Sequence, residues 1–389
     1  MVIPISDRLK GVEDYYFVKK LEQIAQLNKS GKKVINLGIG SPDLAPSDET
    51  IEELNKISKL PNAHGYQPYR GIQELRVAIS EFYKKFYNVT LNPENEVLPL
   101  MGSKEGIIHI SMAFLNKGDS VWVPDPGYPT YTSNAKLVQA KVIRYDLKIE
   151  NNWHPDINQL EKQWQRYKPK LMWLNYPHMP TGARPNVTVL REIIQFAEQK
   201  KCLVINDNPY SLVLNESSPF SIFQLEGSKS VCLELNSLSK SFNMAGWRVG
   251  MLVGLSDYLS AVLRVKSNID SGMFLPIQKA AVVALSNADY WHSQRNKMYE
   301  ERRNHVFKLY DLLECEYDKN QMGMFVWAKL PRKNKNSLSF SDKILEKSHV
   351  FITPGDIFGK NGRGYLRISL CSNVENIQLA YERIKQSFR

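Results

Sequence analysis

Residues 231–242, VCLELNSLSKSF, are the stretch that decides the fold. The short apolar run 231–235 passes directly into small hydroxyl side chains and one lysine, Lys240. The same change follows other short apolar runs, and helix-like stretches such as 105–115 and 187–200 lie between most of them. The clearest of these other runs are 97–100, 121–123, 171–174, 202–205 and 249–253. Strands that alternate with helices predict an α/β fold with a mainly parallel central sheet flanked by helices.

The pattern changes near residue 290, where a long polar helix candidate begins. Strand-like runs and helix candidates then alternate irregularly up to a final helix candidate at 374–387. This mixture predicts a second, smaller α+β domain. We expect residues 46–288 to form the large domain, and residues 1–45 and 289–389 to form the small one. Two domains also agree with a length of 389 residues.

Composition narrows the possible functions. The chain carries 51 Lys and Arg against 40 Asp and Glu, a net charge of +11. The basic residues are scattered among acidic ones and their densest stretches are short, so we expect solvated loops and no nucleic-acid partner. Four widely separated cysteines predict neither a disulfide framework nor a zinc site, and we expect no bound metal. No apolar stretch approaches the roughly 20 residues that span a bilayer. We therefore expect a cytoplasmic protein with no membrane contact.

The chemistry-bearing residues cluster after the predicted strands. In open α/β sheets, ligands bind just beyond the carboxyl ends of the strands. The segments there are MGSKEG (101–106), PDPGY (124–128), NYPHMPTG (175–182), NDNPY (206–210) and NSLSKSF (236–242). Taken singly, Gly102-Ser103 is typical of a helix cap, whose free N–H groups can hold an anion, and Asp207 is typical of an N-cap. Their ordered recurrence predicts one shared site.

Segment 237–250, SLSKSFNMAGWRVG, resembles the cofactor-lysine signature of the fold-type I, class I/II pyridoxal-phosphate aminotransferases. An arginine, Arg248, stands eight residues after Lys240, as in that family. The resemblance extends from NLGIGSPD (36–43) to Arg367. It implies the transferase fold of that type, pyridoxal 5'-phosphate as cofactor, amino acid and 2-oxo acid substrates, and a homodimer with shared active sites.

The resemblance also implies a role for each matching residue. Lys240 forms the Schiff base with the cofactor and moves a proton as general base and acid. Asp207 keeps the pyridine nitrogen protonated, so that the ring can accept electrons. Tyr210 donates a hydrogen bond to the ring phenolate oxygen, and Tyr128 stacks on the ring beside the substrate. The other cofactor-binding residues that the resemblance implies are Gly102, Ser103, Lys104, Asn175, Ser237, Ser239, Arg248 and, from the neighbouring subunit, Tyr66.

Substrate binding is implied for two further residues. Arg367 matches the arginine that holds the substrate α-carboxylate, although its segment alone would suit an edge strand. Gly40 offers a backbone N–H to the same carboxylate. One residue departs from the family: Met179 stands where Asn-Pro-Thr-Gly has asparagine. Methionine cannot donate the hydrogen bond that asparagine makes to the cofactor, and Asn175 and His178 are the candidates to replace it.

The substrate itself is less specified. Segments GSKEG (102–106) and KSNIDSG (266–272) resemble family members that act on diaminopimelate-like, alanine or broad amino acids. Asp270 either faces a distal ammonium group or caps a loop. We expect an aminotransferase that uses an L-amino acid and a 2-oxo acid, with 2-oxoglutarate as acceptor. The alternatives are a pyridoxal-phosphate carbon–sulfur β-lyase of the same fold and a cofactor-binding protein with little catalysis.

Overall fold

A seven-stranded sheet forms the centre of the protein. The computed structural model describes residues 3–12, 16–215, 218–332 and 336–388. The strands are β1 (Ile35–Asn36), β2 (Val97–Leu100), β3 (Ser120–Asp125), β4 (Lys141–Asp146), β5 (Leu171–Leu174), β6 (Leu203–Asp207), β7 (Cys232–Ser237), β8 (Gly250–Gly254), β9 (Glu316–Tyr317), β10 (Phe325–Lys329), β11 (Val350–Phe351), β12 (Thr353–Pro354) and β13 (Tyr365–Ser369). The central sheet has the order β2-β8-β7-β6-β5-β3-β4. Only β8 runs against its neighbours, β2 and β7, so the predicted α/β fold with a mainly parallel sheet is confirmed.

Helices cover both faces of this sheet. They are α1 (Tyr16–Lys29), α2 (Asp48–Ser58), α3 (Gln73–Tyr87), α4 (Ser103–Phe114), α5 (Pro129–Leu137), α6 (Ile157–Tyr167), α7 (Val187–Lys200), α8 (Ser228–Val231), α9 (Leu238–Ser241), α10 (Ser256–Lys266), α11 (Leu275–Leu285), α12 (Asp289–Leu312), α13 (Ser337–Ser348) and α14 (Val374–Ser387). Apolar side chains of α4, α5 and α10 pack on one face, and those of α3, α7 and α11 pack on the other. Six of the seven strands are buried along their whole length, as double coverage requires.

The C-terminal part has a sheet of its own, with the order β12-β13-β10-β9 and antiparallel pairing. Helices α12, α13 and α14 pack against it in a second core. Residues 350–354 form two short strands, because β11 pairs with β1 whereas β12 pairs with β13. The β1–β11 pair links the N-terminal segment to the C-terminal part. The division at residues 46 and 288 stays a prediction.

Two kinds of feature are absent from the described residues. None of their helices has the length and hydropathy that a membrane span requires. They also hold no cluster of three or more side chains suited to bind a metal ion. All four cysteines are free thiols. The cytoplasmic location stays a prediction.

Candidate active site

A cavity of about 520 Å³ lies where β5, β6 and β7 end. Twelve of the residues predicted from the sequence line it: Gly40, Ser103, Lys104, Tyr128, Asn175, Asp207, Tyr210, Ser237, Ser239, Lys240, Arg248 and Arg367. A larger groove of about 1080 Å³, beside Trp153 and Tyr365, contains none of them. Because the carboxyl ends of parallel strands share one edge of a sheet, sequence-distant loops meet in the smaller cavity.

Asp207 ends β6 and is buried at the floor of the cavity. Tyr131 donates a hydrogen bond of 2.7 Å to its Oδ2, and the Tyr131 ring stacks on Trp173 at a centroid distance of 4.9 Å. Its Oδ1 has no hydrogen-bond partner among the described residues. Burial raises the pKa of Asp207 to about 6, the Tyr131 hydroxyl opposes that rise, and the Glu234 carboxylate adds to it. The free carboxylate oxygen is therefore suited to a cationic partner.

Lys240 follows β7 in the short helix α9. Its Nζ donates to the carbonyl of Gly40. Burial lowers the pKa of Lys240, and the positive charges of Arg367 and Arg248 lower it further. A lowered pKa makes the neutral, basic amine more accessible. Gly40 has no room for a side chain, because a Cβ there would lie 2.2 Å from the Phe325 ring.

An anion cradle lies at the N-terminus of α4. Gly102 is the N-cap, with φ +86°, and a Cβ there would lie 2.1 Å from Arg248 Nη2. Arg248 Nη1 is 3.4 Å from the hydroxyl of Ser239, whose backbone N–H donates to Ser237 Oγ at 3.1 Å. Helix N–H groups, hydroxyls and a guanidinium together match the donors that a phosphate group requires. Gly102 itself does not line the cavity, but its lack of a side chain leaves the space that the Arg248 guanidinium occupies.

Arg367 reaches the opposite side of the cavity from β13. Its guanidinium carbon lies 4.0 Å from the centroid of the Phe325 ring and 4.7 Å from that of Phe358. Nη2 donates to the Gly38 carbonyl at 2.7 Å, and Nη1 lies 3.3 Å from the thioether sulfur of Met179. These contacts fix the orientation of a planar cation that binds carboxylates well.

Met179 lines the cavity together with Asn175. Asn175 accepts from the Met179 backbone N–H at 2.9 Å and donates one of its two amide N–H groups to the Asp207 carbonyl. His178 is outside the cavity lining, and its Nδ1 lies 2.7 Å from the Thr181 hydroxyl. Burial lowers the pKa of His178 to about 3.

Two residues singled out from the sequence lie apart from the cavity lining. Tyr66 is 94% exposed in the loop beyond α2. Asp270 is buried in an ion pair of 2.6 Å with Lys266, and it also accepts from the backbone N–H of Gly272 at 3.0 Å. Oδ1 of Asp270 is therefore engaged within the chain, whereas Oδ2 has no hydrogen-bond partner among the described residues.

Sequence reasoning missed some residues of the site. Tyr131 stands three residues after Tyr128, at the start of α5, and that helical spacing could have predicted its place beside the cavity. Phe17, Phe325 and Phe358 come from separate elements of the N-terminal and C-terminal parts. No local pattern marks them, because an aromatic residue in such an element is most often part of a core.

The residues present fit pyridoxal 5'-phosphate. The unpaired Oδ1 of Asp207 suits a protonated pyridine nitrogen, and the cradle of Gly102 and Arg248 suits a phosphate. The amine of Lys240, with its lowered pKa, suits an aldehyde. Three different functional groups of one molecule thus find complementary groups in one cavity.

Comparisons with known proteins agree with this chemistry. The family model "Aminotransferase class I and II" matches residues 32–384. LL-diaminopimelate aminotransferase of Halothermothrix orenii is 39% identical over 383 residues, 98% of each chain. Transaminase BacF of Bacillus subtilis is 36% identical over 387 residues, 99% of this chain and 97% of the relative. The substrate-bound structure of BacF superimposes with a TM-score of 0.94, covering 99% of this chain and 98% of that one. The chain therefore belongs to the class I and II aminotransferases and is a pyridoxal-phosphate-dependent transaminase.

Proposed function

We propose that the protein transfers the amino group of an L-amino acid to 2-oxoglutarate, and that it acts as a homodimer. The observation that carries the proposal is the presence in one cavity of a half-buried amine on Lys240, a buried carboxylate on Asp207 and a buried guanidinium on Arg367. Transamination needs a base at the substrate Cα, a group that sustains the electron sink, and a carboxylate receptor. Each of these three residues supplies one of them.

The chain's own residues then divide the work. When bound, pyridoxal 5'-phosphate supplies an electron-accepting ring that stabilises the charge left on the substrate Cα. Arg367 holds the substrate carboxylate with its planar fork and so fixes the Cα position. Lys240 Nζ takes the Cα proton as a base and returns it as an acid. Asp207 keeps the pyridine nitrogen protonated, and Tyr210 donates to the ring oxygen.

The charge of the cavity supports substrates that carry an α-carboxylate. Lys104, Arg248 and Arg367 line it together with Lys240, and Asp207 is the only carboxylate among the described lining residues. Lys104 and Arg248 are matched to the cofactor phosphate and Lys240 to its aldehyde, so Arg367 remains for the α-carboxylate that an amino acid and 2-oxoglutarate share. The relatives named LL-diaminopimelate aminotransferase support a diaminopimelate-like amino donor. Alanine, or a broad range of amino acids, is the alternative donor.

A donor panel tests the proposal. Purified holoprotein is mixed with LL-diaminopimelate, alanine, phenylalanine and cystathionine, with and without 2-oxoglutarate. We expect glutamate to form only when 2-oxoglutarate and a donor are both present. Pyruvate and ammonia released from cystathionine without an acceptor would identify a β-lyase instead. Bound cofactor without any turnover would identify a binding protein.

Asp207→Asn should stabilise the cofactor-free protein at neutral pH. The pKa of Asp207 rises from 3.8 to about 6 on folding. Ionisation of Asp207 therefore lowers the free energy of unfolding at pH values above about 6 and has no effect below about 3.8. A shift of about two units corresponds to a gain on the order of 2 to 3 kcal/mol at about pH 7.5 that disappears near pH 4. Thermal unfolding of both proteins at the two pH values measures it. A stability difference between the two proteins that is the same at both pH values would show that ionised Asp207 carries no burial penalty.

Tyr66 tests the shared site of the proposed homodimer. We expect Tyr66→Ala to weaken cofactor binding, and a mixture with inactive Lys240→Ala to regain up to about a quarter of wild-type activity. In such a mixture about half of the dimers are mixed, and each has one site with both native groups. Tyr290→Ala is the matched control, because Tyr290 is 72% exposed elsewhere on the surface. A fully active monomer in light scattering would contradict the shared site.

A further inference from the structure

Glu234 is a fully buried carboxylate on β7, on the same face of the central sheet as Cys232 and opposite to Leu233 and Leu235. Four donors satisfy it. The hydroxyls of Tyr83 and Ser221 donate to Oε1 at 3.0 and 2.9 Å. The side-chain amide of Asn206 and the backbone N–H of Ile222 donate to Oε2 at 3.0 and 2.9 Å.

Stability alone does not account for this carboxylate. A buried ionised group is costly even when it is hydrogen-bonded, and apolar replacements of buried ionic groups are often neutral or stabilising. Burial raises the pKa of Glu234, and the four hydrogen bonds oppose that rise. The donors come from three separate parts of the chain. The carboxylate therefore fixes the positions of these three parts relative to one another.

One of these donors leads to Asp207. Asn206 directly precedes Asp207 on β6, and its Oδ1 accepts from the backbone N–H of Tyr176 at 3.1 Å. The neighbouring Asn175 donates to the Asp207 carbonyl. Glu234 therefore fixes the end of β6 and the loop after β5 in one arrangement.

Another pair of donors leads to Tyr210. Ser221 and Ile222 stand at the far end of the segment that begins at Asn208 and carries Tyr210. Asn208 donates its side-chain amide to the Phe220 carbonyl at 2.8 Å, which joins the two ends of that segment. The remaining donor, Tyr83, belongs to α3, and α3 carries none of the predicted site residues.

We propose that Glu234 is a positioning residue for transamination, which holds Asp207 and Tyr210 in register with the cofactor through Asn206 and through Ser221 and Ile222. The proposal rests on the proposed roles of Asp207 and Tyr210. It assigns no contact between Glu234 and substrate or cofactor.

Two variants that each remove one donor to Glu234 test the proposal. Asn206→Ala breaks the link to Asp207, whereas Tyr83→Phe removes a hydroxyl from a helix without site residues. We expect Asn206→Ala to lower kcat by about tenfold or more with little change in KM, and to alter the visible circular dichroism of the bound cofactor. Tyr83→Phe should change kcat by less than about twofold and leave the circular dichroism of the cofactor unchanged. This should hold even if Tyr83→Phe lowers the melting temperature as much as Asn206→Ala does.

Substitution of Glu234 itself gives a second test. Glu234→Gln should retain most activity, because its amide oxygen can accept from Asn206 and Ile222 while its amide nitrogen donates to the two hydroxyls. Glu234→Ala should lose activity, and Cys232→Ala, on the same face of β7, is the control for a deleted buried side chain. If Glu234→Ala does not fold, the Asn206 and Tyr83 pair decides the question.

Two results separate failure of this proposal from failure of the proposed function. A normal kcat in Asn206→Ala, or an equal loss in Tyr83→Phe, would overturn the positioning role. Asp207→Asn is assayed alongside. If Asp207→Asn turns over at the wild-type rate, the proposed role of Asp207 is wrong. If Asp207→Asn is slow but Asn206→Ala has a normal kcat, only the positioning role of Glu234 is wrong.

Discussion

The site depends on the burial of one carboxylate, Asp207, at the end of a central strand. At a buried position this group is stable only with compensating partners, and the Tyr131 hydroxyl supplies one of them. The second oxygen is left to the cavity. An unsatisfied buried anion attracts a cation far more strongly than an exposed one does. In the proposed function, the protonated ring of the cofactor relieves this local instability.

The remaining groups are placed by the topology of the two sheets. The parallel strands β5, β6 and β7 bring Asn175, Asp207 and Lys240 to one edge. Arg367 comes from β13 in the C-terminal sheet, so the residues proposed as carboxylate receptor and as proton-transfer amine belong to different parts of the protein. Between them Met179 contacts the Arg367 guanidinium through its sulfur. An uncharged thioether sulfur therefore contacts Arg367 at the position where the family has the side-chain amide of asparagine.

Sequence reasoning predicted what depends on local pattern. Buried strands such as β5 read as continuous apolar runs, whereas β4, an edge strand with exposed Lys141 and Arg144, does not, and it was missed. The motif residues of the cavity follow strands directly, so their meeting was predictable. The donors around Glu234 were not, because Tyr83 and Ser221 reach it only through the packing of distant segments. Likewise the departure at Met179 was visible in the sequence, but its contact with Arg367 was not.

The protonation state of the bound cofactor tests the central claim most directly. Protein loaded with pyridoxal 5'-phosphate labelled with ¹⁵N in the ring is observed by NMR across neutral and alkaline pH. Asp207 should hold the ring nitrogen protonated throughout, with a chemical shift and one-bond proton coupling that are both lost in Asp207→Asn. A ring nitrogen that is unprotonated at neutral pH in the native protein would contradict the account.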